Sequence, residues 1–315
     1  MKKEQHDGYS ISVITVNFNG LADTCAMLDT LPQRDDVEVI VVDNASRTDE
    51  ASVIAQRYPH VVVVRCSDNL GFAGGNNEGI KVAHGKYLYF VNNDTLLHKQ
   101  EGTEAVGARG TFETVFQPLI DRLESDSRIA MVCPKIRFAW GNNPIQFAGY
   151  TPLTSVTMRN SGIGCGEDDH GQYEVAHTTP YAHGAAMMVR REAIDRVGMM
   201  PECYFLYYEE LDWSLMMTRA GYEIWYEPRA TIYHKESQTT GQASPLRTYY
   251  ITRNRLLFAR RNIRFPQRWL TYAYLVCLVT PRDIIRCLFQ RRTDLIGATL
   301  SGIRDFLRNK QSKRS

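Results

Sequence analysis

Residues 87–95 read YLYFVNNDT, an apolar run that stops abruptly at two asparagines and an aspartate. Five apolar or aromatic residues followed at once by amides and a carboxylate are typical of a buried central strand whose carboxyl end opens into a polar crevice. Because Asn and Asp are also common turn formers, an ordinary turn after the strand is the alternative interpretation. We take the crevice as the candidate active site.

Three further strand patterns precede this stretch, each followed by apolar residues at helical spacing. They lie at 11–16, 37–42 and 61–64. This alternation predicts a parallel sheet with right-handed crossovers. Each pattern ends in polar residues, and the carboxyl ends of parallel strands meet at one edge of a sheet. We therefore expect four polar side chains to converge there: Asn17, Asp43, Asn69 and Asp94.

A glycine-rich segment, NLGFAGGNN at 69–77, opens the helix that follows the third strand. Glycines in this position let backbone amides contact a phosphate, which makes Gly74 a candidate ligand contact. A tight start of the helix explains the glycines equally well. The spacing is not GxGxxG, and the first strand ends in NFNG, so a dinucleotide-binding dehydrogenase is disfavoured.

The composition is that of a folded chain of ordinary size. Its 315 residues are 43% hydrophobic, enough for one large domain with an extension. Seven widely spaced cysteines without a CxxC pair indicate neither a disulfide framework nor a zinc site. The first ten residues lack the apolar segment of a secretory signal. Together these features predict a cytoplasmic protein with reduced thiols.

Charge divides the chain into two parts. From residue 241 onward there are 16 Lys and Arg against 3 Asp and Glu, whereas the first 240 residues carry 21 against 32. The apolar run at 269–280 is shorter than the roughly 20 residues of a membrane-spanning helix. We predict a catalytic domain at 1–240 and a basic amphipathic helical tail at 241–315 that lies on anionic lipid.

A packed pair of helices or a dimer contact is the alternative role of this tail. Nucleic-acid binding is not expected, because no recognition module precedes the tail.

Four ordered motifs, TVNFNG, VVDNAS, NLGFAGGNN and YFVNND, resemble the nucleotide-sugar half of family 2 glycosyltransferases, especially their rhamnosyltransferase-like bacterial branch. The resemblance implies a GT-A fold, an α/β architecture with a Rossmann-like, mostly parallel sheet, here with a C-terminal helical extension. It also implies a set of donor-binding residues, with the nucleoside pocket at the first strands. These residues are Val16, Asn17, Asp43, Asn69, Gly74 and Asn92.

The same resemblance implies a metal site. Asp94 corresponds to the main carboxylate of a degenerate DXD motif, in which Asn92 stands where many relatives have an acid. A diphosphate leaving group gathers negative charge as the sugar bond breaks, and Mg²⁺ or Mn²⁺ can neutralise it. Related enzymes place a histidine against the metal or the diphosphate at the position of His234, whereas a lone histidine is more often structural.

A second chemical centre lies in YFLYYEELDWSLMMTRAGY at 204–222. On a helix Glu209 and Asp212 share a face, while Glu210 is turned by roughly 100° from Glu209. By resemblance to the family's ED/DD-x-D motif, Glu210 aligns with the catalytic base and the other two are supporting acids. An acidic first turn favoured by the helix dipole is the alternative. Met216 replaces an arginine of many relatives, which removes a supporting salt bridge.

The prediction is an inverting, metal-dependent transferase that moves a sugar from a nucleoside diphosphate, dTDP-rhamnose or a UDP-sugar, to a hydroxyl. The acceptor would be a growing cell-surface polysaccharide or lipid-linked glycan, as in exopolysaccharide synthesis, at the inner face of the plasma membrane. A loop at 237–241 would close over the donor. Two alternatives are a non-catalytic nucleotide-sugar-binding or membrane-scaffolding protein and a nucleotide-sugar hydrolase.

Overall fold

The structure is a computed structural model that describes residues 10–98, 108–236 and 244–308. Its strands are β1 (Ile11–Asn17), β2 (Val37–Asp43), β3 (Val62–Arg65), β4 (Tyr87–Val91), β5 (Thr95–Leu96), β6 (Ile129–Phe138), β7 (Ile145–Phe147), β8 (His177–Thr178), β9 (Ala186–Arg190) and β10 (Glu223–His234). Its helices are α1 (Leu21–Leu28), α2 (Glu50–Arg57), α3 (Gly71–Val82), α4 (Ala108–Thr111), α5 (Gln117–Ser125), α6 (Arg191–Val197), α7 (Glu209–Arg219), α8 (Pro245–Asn262), α9 (Gln267–Ala273), α10 (Thr280–Phe289) and α11 (Thr293–Leu307). Two π-helical segments lie at Phe112–Phe116 and Tyr274–Val279.

One mixed sheet runs through the described residues in the order β3-β2-β1-β4-β9-β6-β10-β5. The first four strands in this order are parallel to one another. Strand β9 is antiparallel to both neighbours, and β10 returns parallel to β6. The predicted α/β class with a mostly parallel central sheet and C-terminal helices is confirmed.

Strand β4 is the centre of the core, as its apolar run predicts. All five of its residues are buried. Phe90 meets Trp213 of α7 edge to face with ring centroids 5.6 Å apart, and Tyr89 meets Phe116 at 5.1 Å. Burial of side chains of this size stabilises the fold by about 1.5–3 kcal/mol each. The strand that ends at the crevice is therefore tied directly to helix α7.

Strand β6 differs from what its sequence predicts. A proline lacks the N–H of a ladder hydrogen bond, so Pro134 predicts an interruption. The strand nevertheless continues through Pro134, because the partner strand β10 changes register between Glu227 and Thr231. The irregularity lies in β10 and leaves β6 ten residues long.

Helix α8 packs against the segment that leads into α7. Nδ2 of Asn254 donates to the carbonyl oxygens of Tyr204, Leu206 and Tyr207 at 3.0, 2.7 and 3.0 Å. Tyr207 and Tyr208 have φ of 68° and 80°, a left-handed conformation that is uncommon for non-glycine residues. The asparagine therefore holds an unfavourable backbone conformation in place.

The C-terminal helices extend beyond this contact. Helix α11 packs against α8. No helix within the described residues is both long and apolar enough to cross a membrane. The division at residue 240 stays a prediction, and the predicted loop at 237–241 lies outside the described residues.

Candidate active site

The ends of β1 and β2 form one buried hydrogen-bond network. Nδ2 of Asn17 donates to Oδ1 of Asp43 at 2.9 Å and to Oε2 of Glu50 at 2.8 Å. The hydroxyl of Thr24 donates to Oδ1 of Asn17 at 2.7 Å and accepts from Nδ2 of Asn93 at 3.0 Å. The expected convergence of the strand ends is thus observed from β1 through β2 to the turn after β4. Asn17 and Asp43 are both buried in this network.

Asn69, which follows β3, lies at the same edge of the sheet and contacts Asn44 at the end of the neighbouring strand β2. Its Oδ1 accepts from Nδ2 of Asn44 at 3.1 Å and from the N–H of Gly71 at 2.9 Å. Gly71 has φ of +74°, and a Cβ added to it would lie 2.1 Å from the carbonyl oxygen of Phe205, so a side chain here would collide with that backbone. Asn69 therefore positions the beginning of α3 next to the segment before α7.

Two of the glycines of α3, Gly74 and Gly75, have packing roles. A Cβ added to Gly74 would lie 2.6 Å from Cβ of Leu70, and one added to Gly75 would lie 2.9 Å from Cγ1 of Val16. Both distances are too short for a side chain to fit without movement. The observed contacts favour the tight start of the helix, and they place Val16 beneath its first turn.

Asp94 and His234 meet at the carboxyl ends of β4 and β10. Oδ1 of Asp94 lies 3.1 Å from Nε2 of His234, and both residues are buried. Nδ2 of Asn92 lies 3.4 Å from the same nitrogen. The structure thus brings together the two residues predicted to bind a metal, with Asn92 beside them.

Gln146 of β7 completes this arrangement. Its Oε1 lies 2.9 Å from Nδ1 of His234 and can accept the proton of that nitrogen. In that tautomer the lone pair of Nε2 is presented beside the Asp94 carboxylate, and such a pair suits a divalent cation. Within the described residues no group of three or more His, Cys, Asp or Glu could hold a metal. Two protein ligands fit Mg²⁺ or Mn²⁺ when substrate phosphates supply further oxygens.

The first turn of α7 presents two glutamates in poorly hydrated surroundings. Glu209 is buried, and its Oε2 has no hydrogen-bond partner among the described residues. Burial, and then the nearby Glu210, raise the pKa of Glu209 well above its usual range. Burial also raises the pKa of Glu210 to about 7. A carboxyl group that titrates near neutral pH can act as a general base.

Gly184 faces Glu210 across the crevice. A Cβ on Gly184 would lie 3.8 Å from Cγ of Glu210 and 3.9 Å from Cζ of Phe72. The glycine is followed by Ala185, whose carbonyl oxygen accepts from the N–H of Asn92 at 2.9 Å. Consecutive residues before β9 therefore contact the glutamate turn and the asparagine beside His234. The two chemical centres are therefore linked through Gly184 and Ala185.

His183 lies between these centres as a neutral ring. It stacks on Tyr150 with ring centroids 5.9 Å apart, and its Nδ1 accepts from the N–H of Ala185 at 3.1 Å. Burial and the nearby His234 lower the pKa of His183 to about 3. Because Nδ1 accepts, the single proton of the ring resides on Nε2.

Asp212 is placed differently from the two glutamates. Its Oδ2 accepts from the hydroxyl of Tyr204 at 2.9 Å and from Nε of Arg261 at 2.6 Å, and its Oδ1 accepts from Nδ2 of Asn262 at 2.9 Å. Asp212 therefore joins α7 to α8. Asp212 has a salt-bridge partner in Arg261, from a distant part of the chain.

The sequence of this chain is similar to those of known glycosyltransferases. Residues 12–109 match the sequence model of glycosyl transferase family 2. The chain is 22% identical over 310 residues to the low-salt glycan biosynthesis hexosyltransferase Agl10 of Haloferax volcanii, covering 96% of this chain and 92% of that protein. It is 24% identical over 250 residues to N-acetylglucosaminyl-diphospho-decaprenol L-rhamnosyltransferase of Mycobacterium tuberculosis, covering 74% of this chain and 79% of that protein. These similarities indicate a glycosyltransferase in which residues 12–109 match family 2.

Solved structures show the GT-A fold of this glycosyltransferase. The mannosyltransferase PcManGT from Pyrobaculum calidifontis, in complex with GDP-Man and Mn²⁺, matches with a TM-score of 0.55 at 15% identity, over 95% of this chain and 87% of that chain. GalNAc-T7 with UDP, GalNAc and Mn²⁺ matches with a TM-score of 0.56 at 14% identity, over 79% of this chain. The match spans about half of GalNAc-T7, 48% of its length.

Several residues of the glycosyltransferase crevice carry no usable signal in the sequence. Gln146 lies in a short strand, and only the fold brings it to His234. His183 directly precedes Gly184, yet its buried position depends on Tyr150. Asn254 lies in α8, and nothing local indicates that it contacts three carbonyl groups.

Proposed function

We propose that this glycosyltransferase transfers a sugar, with inversion, from a nucleoside diphosphate to a hydroxyl of a lipid-linked glycan. The observation that carries the proposal is Glu210, a half-buried carboxyl group that faces Gly184 and whose pKa is raised to about 7. The pair of Asp94 and His234 supports a diphosphate donor. dTDP-rhamnose and UDP-sugars are the first donors to test.

The reaction is a single displacement. Glu210 accepts the proton of the acceptor hydroxyl while the hydroxyl oxygen bonds to the anomeric carbon and the bond from that carbon to the diphosphate breaks. Attack opposite the leaving group inverts the anomeric centre, and no protein nucleophile takes part. Burial and the nearby Glu210 raise the pKa of Glu209, which favours the uncharged form of this second carboxyl group beside the base.

Asp94 and His234 would hold the divalent cation, with Gln146 orienting the imidazole. When bound, Mg²⁺ or Mn²⁺ stabilises the negative charge of the departing diphosphate. Val16, Asn17, Asp43 and Asn69 would shape the nucleoside pocket.

The relatives support the acceptor class. The Mycobacterium tuberculosis protein is named for transfer to N-acetylglucosaminyl-diphospho-decaprenol, a lipid-linked sugar. The Haloferax volcanii protein is named for glycan biosynthesis. We infer a growing glycan on a lipid carrier as acceptor, in the synthesis of a cell-surface polysaccharide.

The C-terminal helices support work at a membrane surface. Large apolar side chains are exposed along α9, the π-helical segment and α10, among them Trp269, Leu278 and Phe289. The tail from residue 241 carries 16 basic against 3 acidic residues. Exposed apolar residues among positive charges favour an anionic lipid surface. We infer a cytoplasmic protein that binds the inner face of the plasma membrane without spanning it.

Release of nucleoside diphosphate tests the proposal. Wild type and Glu210→Gln are compared on dTDP-, UDP- and GDP-sugars, with Mg²⁺ or Mn²⁺ and a membrane extract as acceptor. We expect release on one donor that needs both metal and extract and falls about a thousandfold in the variant, within the range of a general base. Glu192→Gln, in the first turn of α6, is the matched control and should retain activity.

Two outcomes would contradict the proposal. Release without an acceptor would identify a nucleotide-sugar hydrolase. Donor binding with no turnover on any donor, in the presence of a purified lipid-linked sugar, would identify a non-catalytic binding protein.

A further inference from the structure

A cavity of about 500 Å³ lies among the C-terminal helices, away from the crevice. Helix α8 forms one wall, the π-helical segment with α10 a second, and the beginning of α11 the third. Apolar side chains of Leu256, Leu275, Val279 and Leu295 are buried where these elements meet. We call this cavity the tail pocket.

Basic side chains dominate the polar part of the tail pocket. Four arginines contribute to its lining: Arg247, Arg255, Arg282 and Arg286. Asp283 is the single acid among the described residues that line it, and it pairs with Arg282 at 2.6 Å. Four positive charges against one negative charge give the pocket a strong preference for an anion. Guanidinium groups are also the side chains best suited to bind phosphate.

The pocket combines this charge with an apolar floor. A small inorganic anion would contact the arginines but not the apolar part of the lining. A phosphate ester of a long hydrocarbon chain uses both. The neighbouring surface is apolar as well, since Val276 and Leu278 of the π-helical segment are exposed. A hydrocarbon chain leaving the pocket would follow this surface into the bilayer.

One contact links the tail pocket to the glutamate turn. Nε of Arg255 donates to the hydroxyl of Tyr208 at 3.0 Å. Tyr208 immediately precedes Glu209 and Glu210 and forms the N-terminal boundary of α7. Its ring also packs against Phe258 of α8, with centroids 5.5 Å apart. A ligand in the pocket is thus one side chain away from the element that carries Glu210.

We propose that the tail pocket binds the phosphate group of the lipid-linked acceptor, so that its glycan extends toward Glu210. This inference rests on the proposed function, because it supplies the binding site for the lipid part of that acceptor. The pocket separates two tasks: the arginines bind the carrier, while the crevice binds the donor and performs the transfer.

Charge reversal at Arg286 tests the proposal. Arg286 is an exposed residue that lines the pocket, and Arg264, in the connection between α8 and α9, is an equally exposed arginine outside its lining. The full chain of wild type, Arg286→Glu and Arg264→Glu is titrated with phosphatidylcholine vesicles. The vesicles contain either polyprenyl phosphate or the same fraction of phosphatidylglycerol, so the density of anionic lipid is matched. Neither vesicle titration requires donor or turnover.

We expect Arg286→Glu to weaken binding to polyprenyl phosphate vesicles about tenfold, the effect of losing one charged hydrogen bond. Its binding to phosphatidylglycerol vesicles should fall no more than that of Arg264→Glu. An Arg286→Lys variant, which keeps the charge, should recover much of the loss.

The proposal is overturned if the two charge reversals weaken binding equally, which indicates general attraction to the membrane. It is also overturned if Arg286→Glu loses as much affinity for phosphatidylglycerol vesicles, which assigns the pocket to an ordinary phospholipid headgroup. Because binding is read without catalysis, failure of the pocket is distinguishable from failure of the proposed reaction.

Discussion

The first turn of α7 carries acids in two contrasting surroundings. On the side toward α8, Asp212 accepts hydrogen bonds from Tyr204, Arg261 and Asn262. On the side toward the crevice, Glu209 has an oxygen without a partner, and burial raises the pKa of Glu210 to about 7. A carboxylate whose oxygens accept several hydrogen bonds stabilises the fold. A buried carboxyl group with few partners instead lowers the stability of the fold, and its pKa rises.

Loss of the hydrogen-bonded carboxylate of Asp212 should have the largest effect on stability. Asp212→Asn removes the charge that pairs with Arg261 and leaves a buried group with poorer partners. We expect the free energy of unfolding to fall by about 2–3 kcal/mol, less than for a fully buried ion pair because Arg261 is partly exposed. Chemical denaturation measures the change. Asp294→Asn, which breaks an exposed pair with Arg292, should leave stability unchanged. Equal effects of the two variants would contradict the contrast.

Removing a glutamate from the crevice side should instead stabilise the protein. Folding raises the pKa of Glu209 above its usual 4.5, so stability is lost as the pH rises from that value toward the folded pKa. At about pH 8, Glu209→Gln should therefore increase the free energy of unfolding. The gain should shrink at about pH 5, where both states hold the proton to a greater extent. A loss of stability at high pH would show that Glu209 has a stabilising partner.

The pH dependence of the rate provides the finest test. Glu210 acts as a base only when ionised, so kcat/KM should fall about tenfold for each pH unit below about 7 and level off above it. Donor binding measured at the same pH values separates chemistry from affinity. A rate that stays constant well below pH 7 would exclude Glu210 as the titrating base.

The sequence predicts most of the parallel half of the sheet. Strands β1, β2 and β4 are short apolar runs with polar ends, and both features are local. The meeting of Asp94 with His234 was predicted from the family resemblance, although 140 residues separate them. Local periodicity would not have paired them.

Other parts of the site depend on contacts that no local pattern records. Arg261 pairs with Asp212 from a helix more than 40 residues later in the chain. Pro134 lies inside a long strand because the irregularity belongs to β10. Tyr207 and Tyr208 have a left-handed conformation that the sequence does not signal, because neither residue is a glycine. Contacts from α8 hold this conformation.

The contact of Asn254 with the carbonyl groups of Tyr204, Leu206 and Tyr207 has a consequence for recombination between related enzymes. Helix α8 comes from the basic tail, yet it holds the backbone that begins the glutamate turn. A chimera that receives a foreign tail from residue 241 onward would also exchange this support. Junctions placed after Asn262 keep it. We therefore expect α8 to be inherited together with the catalytic half.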